Sequence, residues 1–386
     1  MTSSAAVVLE RLVDSLVESG TASAVVALVG GSRHVEWCRA AGWARGGPPA
    51  GCPAQPSTWF DYGSLTKPFA ATLGLLLDRS GELPLATPLG AVLPGAHARL
   101  AAAPLADLLR HRAGLQAWTP LYARCRSLAA VQELLLGGEL LGGRMGTYSD
   151  LDYMLWGLAV ERAMGRPLAA LVAERVIAPL GLSSRTAAVA PPPGDVPAVA
   201  ESRMGGGREV ALAERLGFGI APPPPPLPGE PQDGNARFLL TLAAPGAIAA
   251  HAGLFGTAEA LWRLGAEWLA PDALLDRAAV AGALAGGGPF ALGWWRRRHR
   301  GSGGAALSPL AYGHSGFAGG SLWLDPQSRR VFVLLAHRLD PASNLNRWRR
   351  RFHAAAARAH ATGRKNRTSP QRGWGRPLPP GGWEGD

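Results

Sequence analysis

The sequence predicts a mixed fold of the α/β (α+β) kind, an antiparallel sheet flanked by helices with a large inserted helical region. Strand-like runs cluster at both ends of the 386-residue chain, and the middle is dominated by apolar residues at helical spacing. A hydrophobic fraction of 47% supplies enough material for one large core.

The elements follow in order. Residues 4–18 place Val8, Leu9, Leu12 and Leu16 at helical spacing. Ala24–Val29 and Val35–Trp43 are β-like and are separated by Gly30-Gly31-Ser32, which predicts a hairpin. Near the other end, Ser321–Leu324 and Val331–Ala336 flank a turn at Asp325-Pro326, and a helix is expected over about Asn344–Ala361. The two ends mirror each other and can share one sheet. Between them, Leu105–Arg110, Leu151–Met164 and Leu168–Ile177 show apolar stripes, with Gly165 and Pro167 as punctuation. The segment 191–233, with Pro191–Pro193, Gly205–Gly207 and Pro222–Pro226, predicts a surface excursion of polyproline character. One unit over residues 1–361 is therefore expected, its α/β part at about 1–63 and 286–361 and its helical insert at about 64–285. Residues 362–386 are expected to be a basic, disordered tail.

Composition excludes several function classes. No apolar run approaches the roughly 18–20 residues of a membrane span; Phe69–Leu77 is among the longest. Cys38, Cys52 and Cys125 form neither an even set nor a metal-like spacing. The nine histidines contain no HxH or HxxxH pair, so no metal site is expected. The net charge of +11 is a property of the end of the chain. Arg347–Asp386 holds ten basic and two acidic residues, so a solvated tail is expected and no nucleic-acid partner. The start of the sequence lacks a basic n-region and breaks its apolar run at Glu10, which points to the cytoplasm; a periplasmic location requires an export signal upstream.

Arginine supplies all but two of the 39 basic residues, leaving Lys67 and Lys365. Lys67 lies in Ser64-Leu65-Thr66-Lys67, just before Pro68 and an apolar run that ends at Gly81. This reads as the first turn of a buried helix, where proline is tolerated. The spacing puts Ser64 and Lys67 on one face, one turn apart. A serine nucleophile needs a base, and burial near a helix start disfavours the charged form of lysine. The same helix end aims the Ser64 N–H at a developing oxyanion.

Two further segments carry chemistry. Tyr148-Ser149-Asp150 precedes a helix, with Ser149 or Asp150 as N-cap. Tyr148 is left in a loop, where its phenol can relay protons if neighbouring positive charge lowers its pKa. His314-Ser315-Gly316-Phe317 opens a glycine-rich stretch before a strand, which lets a substrate backbone approach closely. His111 and His251 read as structural, and Arg296–Arg298 beside Trp294-Trp295 as a solvated face or loop.

The ordered set Ser64-x-x-Lys67, Tyr148-Ser149-Asp150 and His314-Ser315-Gly316 resembles the three motifs of penicillin-recognising serine enzymes, above all the class C β-lactamase group with its penicillin-binding-protein and esterase relatives. Phe60–Gly63, Leu108–Leu115, His251–Thr257 and Gly313–Asp325 are similar to further family blocks, with Ala113 standing where the second block has serine. The resemblance covers about residues 5–360 and implies a β-lactamase/transpeptidase-like fold without a cofactor. It makes Ser64 the acylated nucleophile, Lys67 its proton acceptor and Tyr148 a general base or acid. It also places the oxyanion hole at the N–H groups of Ser64 and Phe317.

Two departures bear on activity. Asp150 stands where many relatives have asparagine; a carboxylate only accepts hydrogen bonds and can hold Lys67 charged. His314 replaces the usual lysine, and a histidine with an ordinary pKa of about 6.5 is mostly neutral at pH 7, so a fixed cation for a substrate carboxylate is lost. The expected activity is serine hydrolysis, through an acyl-Ser64 intermediate, of a small ester, amide or peptide substrate. The alternatives are a D,D-carboxypeptidase or penicillin-binding protein, a weak β-lactamase, or an inactive recognition module that keeps the pocket.

Overall fold

The computed structural model describes residues 3–144, 146–182, 187–188, 199–201, 207–221, 225–242, 249–297, 302–339 and 344–365. After an N-terminal helix (Ser3–Glu18) come β1 (Ala22–Gly30), β2 (Val35–Arg45), β3 (Cys52–Pro53) and β4 (Phe60–Asp61). The middle of the chain contributes β5 (Ala187–Ala188) and β6 (Phe255–Gly256). The last part adds β7 (Phe290–Ala291), β8 (Trp294–Arg296), β9 (Tyr312–Ser315), β10 (Ser321–Asp325), β11 (Arg330–Arg338) and a C-terminal helix (Leu345–Lys365).

Eight strands form one sheet in the order β3-β2-β1-β11-β10-β9-β8-β7, and their pairings are antiparallel. The two ends of the chain meet at its centre, where Val26 of β1 lies opposite Leu335 of β11 and Leu28 opposite Val333. The strands β4, β6 and β5 make a second, small sheet beside the site described below. Two-residue strands carry no alternation, which is why the sequence gives no sign of this second sheet.

Both faces of the main sheet are covered, so its central strands read as continuous apolar runs. On one face Val25, Ala27 and Val29 of β1 and Phe332, Leu334 and Ala336 of β11 pack against the two terminal helices. On the other, Ala24, Val26, Leu28, Val331, Val333 and Leu335 join the core shared with the helices of the middle region. The N-terminal helix buries Leu9, Val13 and Leu16 while Val8 is exposed, so its inward stripe is turned from the one expected to include Val8. The C-terminal helix buries Phe352, Ala355, Ala356 and Ala359.

The observed boundaries correct several expectations. The C-terminal helix continues past residue 362 into the stretch assigned to a disordered tail; residues 366–386 lie outside the described ones. A helix (Gly207–Arg215) falls inside the segment read as polyproline-like. It is anchored by the buried Glu209, which accepts hydrogen bonds from Gly234 N (2.6 Å) and Tyr122 Oη (3.0 Å). Pro191–Pro193 and Pro222–Pro224 lie outside the described residues. Arg296, read with Arg297 and Arg298 as a solvated face or loop, is half-buried in β8 beside the buried Trp294 and Trp295, because the sheet extends to that edge; Arg298 lies outside the described residues. Among the described residues no helix is long and apolar enough to cross a membrane.

The terminal helices and the sheet form one continuous layer, so truncating Phe352 opens a cavity between elements from opposite ends of the chain. Phe352→Ala is expected to lower unfolding free energy by about 3–5 kcal/mol in urea titrations followed by circular dichroism. An effect below about 1 kcal/mol would contradict this packing.

Candidate active site

The site is built where three segments converge. Gly63–Leu65 forms a 3₁₀ turn that runs directly into the helix Thr66–Ser80, so Ser64 and Lys67 lie one turn apart, as the spacing requires. Pro68 is the third residue of this helix, a position at which its missing N–H leaves no bond unmade. The turn is braced from below. Asp61 Oδ1 accepts from Gly63 N (2.8 Å) and Oδ2 from Gln232 N (2.7 Å), while Tyr62 Oη donates to Thr257 O (2.7 Å). Burial pushes the Asp61 carboxyl up to about 6, against the lowering effect of these two amides.

Lys67 has no exposed surface. Its Nζ donates to Ser64 Oγ at 3.1 Å, Asp150 Oδ1 at 2.6 Å and His251 O at 3.1 Å. Burial pulls its pKa below the ordinary lysine range, and Asp150 opposes that pull. Asp150 is the first residue of the helix Asp150–Met164, and the N-cap is Ser149, whose Oγ accepts from Asp152 N (3.2 Å).

Tyr148 Oη donates to Ser64 Oγ at 2.9 Å. Its ring stacks on Trp295 (centroids 5.3 Å apart) and lies tilted against the His111 ring (4.6 Å). The condition named for a relay through a lowered phenol pKa is not met. Burial first and the Asp150 charge second raise it well above the ordinary value, so the phenol is protonated at neutral pH.

His314 and Ser315 end β9, and the glycine-rich stretch that follows leads into β10, as expected, with His314 opposite Leu322 of β10. Gly316 N donates to Gly320 O (2.8 Å) across the turn that follows. Gly316 is required there, since a Cβ would collide with Tyr62 O. That close approach brings the Phe317 amide beside the Ser64 turn: a Cβ on Gly63 would lie 3.1 Å from Phe317 N. His314 is buried and its Nδ1 lies 3.0 Å from Ser315 O. Burial, reinforced by the Lys67 charge, holds its pKa well below the ordinary value, so it carries no charge at pH 7.

The Beta-lactamase family model matches residues 9–356. The chain belongs to that family. It is 27% identical over 329 residues to an N-acetylmuramyl-L-alanine amidase from Bacillus subtilis, covering 75% of this chain and 71% of the relative. Among solved structures it is similar to EstCE1, a hydrolase with promiscuous acyltransferase activity, with a TM-score of 0.70, 20% identity, and 92% and 98% of the two chains covered. It is also similar to a β-lactamase/D-alanine carboxypeptidase from Pseudomonas syringae, with a TM-score of 0.69, 16% identity, and 92% and 99% covered. The β-lactamase/transpeptidase fold is thereby shown, and with it membership among serine hydrolases that act on small esters, amides or peptides.

Several residues that the sequence did not single out support the site in this member of the Beta-lactamase family. His251, read as structural, reaches Lys67 through its backbone carbonyl. Its ring is held between Ala249 O (2.8 Å from Nδ1) and Asp233 Oδ1 (3.1 Å from Nε2). Asp233 also accepts from Ala236 N (2.8 Å), a helix-cap contact that is its one legible signal in the sequence. Arg349, counted above with the solvated tail, is buried; its Nη2 donates to the carbonyls of Gly316 (3.2 Å), Gly319 (2.6 Å) and Gly320 (2.8 Å). Among the described residues no three His, Cys, Asp or Glu side chains converge as metal ligands would.

The Asp233–His251 pair makes stability depend on pH. Burial lowers the His251 pKa, but Asp233 more than offsets this and leaves it above 6.5; burial raises Asp233, and His251 more than offsets that and leaves it below 3.8. The histidine contribution is complete below pH 6.5 and fades as pH rises through its folded-state value. The aspartate contribution is complete above pH 3.8 and fades as pH falls through its folded-state value. Asp233→Asn is therefore expected to destabilise by about 3 kcal/mol or more, with the widest gap from wild type between about pH 4 and 6.5. Urea unfolding across pH 4–9 measures this, and a gap independent of pH contradicts it.

Proposed function

We propose that the chain hydrolyses ester or amide bonds of small substrates through an acyl-Ser64 intermediate. The observation that carries this reading is the pair of hydrogen bonds at Ser64 Oγ, one from Lys67 Nζ and one from Tyr148 Oη. In this reading Ser64 attacks the substrate carbonyl and Lys67 receives its proton. Tyr148, protonated, gives its proton to the departing alkoxide or amine. The amides of Ser64 and Phe317 hold the oxyanion, and the proximity of Phe317 N to the Gly63 position supports that role.

The charge pattern supports neutral acyl groups as substrates. His314 is neutral, and the Lys67 ammonium is already matched by Asp150. A substrate carboxylate beside the third motif would find no cation in His314. This favours esters and amides over β-lactams. A second reading, an amide bond of a cell-wall peptide, is favoured by the amidase relative, whose likeness covers three quarters of this chain.

Wild type is expected to turn over p-nitrophenyl acetate and to be labelled at Ser64 by a fluorophosphonate. Ser64→Ala should lose both, with turnover down by about 10³-fold or more. Turnover that persists in the variant overturns the assignment of the nucleophile. Faster turnover of an N-acetylmuramyl-L-alanine substrate than of the ester would select the second reading.

A further inference from the structure

Lys67 and Tyr148 both face Ser64 as donors, which leaves the hydroxyl without an acceptor. An ammonium has three N–H groups and no lone pair. The three oxygens around Nζ (Ser64 Oγ, Asp150 Oδ1 and His251 O) take all three donors. The contacts therefore fit Lys67 as –NH₃⁺, which cannot accept a proton. Tyr148 points its hydroxyl at the same oxygen, and burial and the Asp150 charge outweigh the Ser64 contact that would favour a phenolate. His111 Nδ1 is engaged with Ser149, at 2.9 Å from its O and 3.0 Å from its N, and does not reach Ser64. Among the described residues the carboxylate in contact with this pair is Asp150, at 2.6 Å from Nζ, a distance suited to proton transfer. Its side chain remains 16% exposed while Lys67 is fully enclosed, so the carboxylate sits at the solvent edge of the pair.

We propose that Asp150 is the proton relay of acylation: it takes a proton from the Lys67 ammonium, which frees the amine to deprotonate Ser64, and it later returns that proton through Tyr148. The proposal rests on the acyl-Ser64 reading above. The steps balance. The Lys67 N–H bond breaks and an Asp150 O–H bond forms, giving a neutral amine and a neutral acid. The Ser64 O–H bond then breaks toward the Lys67 lone pair as Ser64 Oγ bonds to the carbonyl carbon, whose π pair moves onto the oxygen. When the tetrahedral adduct collapses, Tyr148 gives its proton to the leaving group and takes the stored proton from Asp150, whose charge bears on the phenol. Lys67 ends as ammonium, Asp150 as carboxylate and Tyr148 as phenol, and the proton of Ser64 is in effect carried off by the leaving group.

The other charged and titratable groups around Nζ do not substitute for Asp150. Tyr148 and Tyr153 present their ring faces, at 4.9 and 5.2 Å from Nζ to the centroids. His111 and His314 are held neutral by burial and by the Lys67 charge. His251 offers Lys67 its carbonyl, and its ring is engaged with Asp233 and Ala249 O.

The test compares full-length wild type with Asp150→Asn and Asp150→Ala in pre-steady-state acylation by p-nitrophenyl acetate from pH 5 to 10, with thermal unfolding as a check on folding. A relay predicts acylation slowed by about 100-fold or more at pH 7 in both variants, at little change in KM. It also predicts that added formate or acetate restores part of the Asp150→Ala rate, and that the rescue varies with the pKa of the carboxylic acid supplied. A counter-ion role predicts otherwise: Asp150→Asn would keep its plateau rate within about threefold, and its acid limb would move to lower pH as the Lys67 ammonium lost its partner. That result, or slowed variants that no carboxylate rescues, overturns the relay while leaving the nucleophile in place. A wild type that gives neither a burst nor fluorophosphonate labelling overturns the acyl-Ser64 reading and the relay together.

Discussion

A lysine ammonium without exposed surface is the constraint from which the rest of the site follows. A charge removed from water costs several kcal/mol unless its donors are satisfied in good geometry. Lys67 meets that condition with one acceptor from each of three segments: its own helix start (Ser64), the start of the helix Asp150–Met164 (Asp150), and the loop that ends in β6 (His251). Each segment must be fixed for the cage to close, and each is. Asp61 ties the nucleophile turn to Gln232, Ser149 ties its helix start to Gln116 O at 2.7 Å, and Asp233 holds the His251 ring. The buried polar network is costly if half satisfied, which explains why it recruits residues some distance from Ser64 in sequence.

The sheet supplies the second fixed reference. β11 lies at its centre, paired to β1 on one side and β10 on the other, so the position of β9 is set by strands from both ends of the chain. The turn after β9 carries Phe317, and its carbonyls at Gly316, Gly319 and Gly320 converge on the Arg349 guanidinium from the C-terminal helix. Backbone carbonyls drawn inward toward Arg349 constrain the intervening amides, among them that of Phe317 beside Gly63. The last helix thus fixes one edge of the candidate site, although Ser64 lies nearly three hundred residues earlier.

Much of this was legible in the sequence, for identifiable reasons. The hairpin β1–β2, the strands β10 and β11 and the flanking helices carry long apolar patterns; turn and cap signals report the local geometry at Ser64, Lys67 and Tyr148, and the family resemblance implies that the three converge. The small sheet β4-β6-β5 was not legible, because two-residue strands have no period. Arg349 was hidden in a run of basic residues whose composition resembles a solvated tail; only the glycine carbonyls facing it reveal its burial. Asp233 was masked by its ordinary role as a helix cap. The direction of the Tyr148 pKa was not legible either, because it is set by burial and the Asp150 charge, and no linear pattern reports burial of that kind.

Charge balance in the cleft links the relay to transition-state stabilisation. Before reaction, the Lys67 cation is neutralised by Asp150 at 2.6 Å, and it offers a neutral substrate little net field. Once Asp150 holds the relayed proton and Lys67 has taken the proton of Ser64, the ammonium has lost its anionic partner while negative charge develops on the substrate oxygen one turn away. The attraction therefore appears with the oxyanion and not with the bound substrate, the condition under which an interaction raises kcat instead of only tightening binding. A fixed lysine at position 314 would add the same positive field to ground state and transition state alike, and would serve to bind a carboxylate. A neutral His314 adds no such field, which leaves the proposed relay dependent on the Asp150–Lys67 pair.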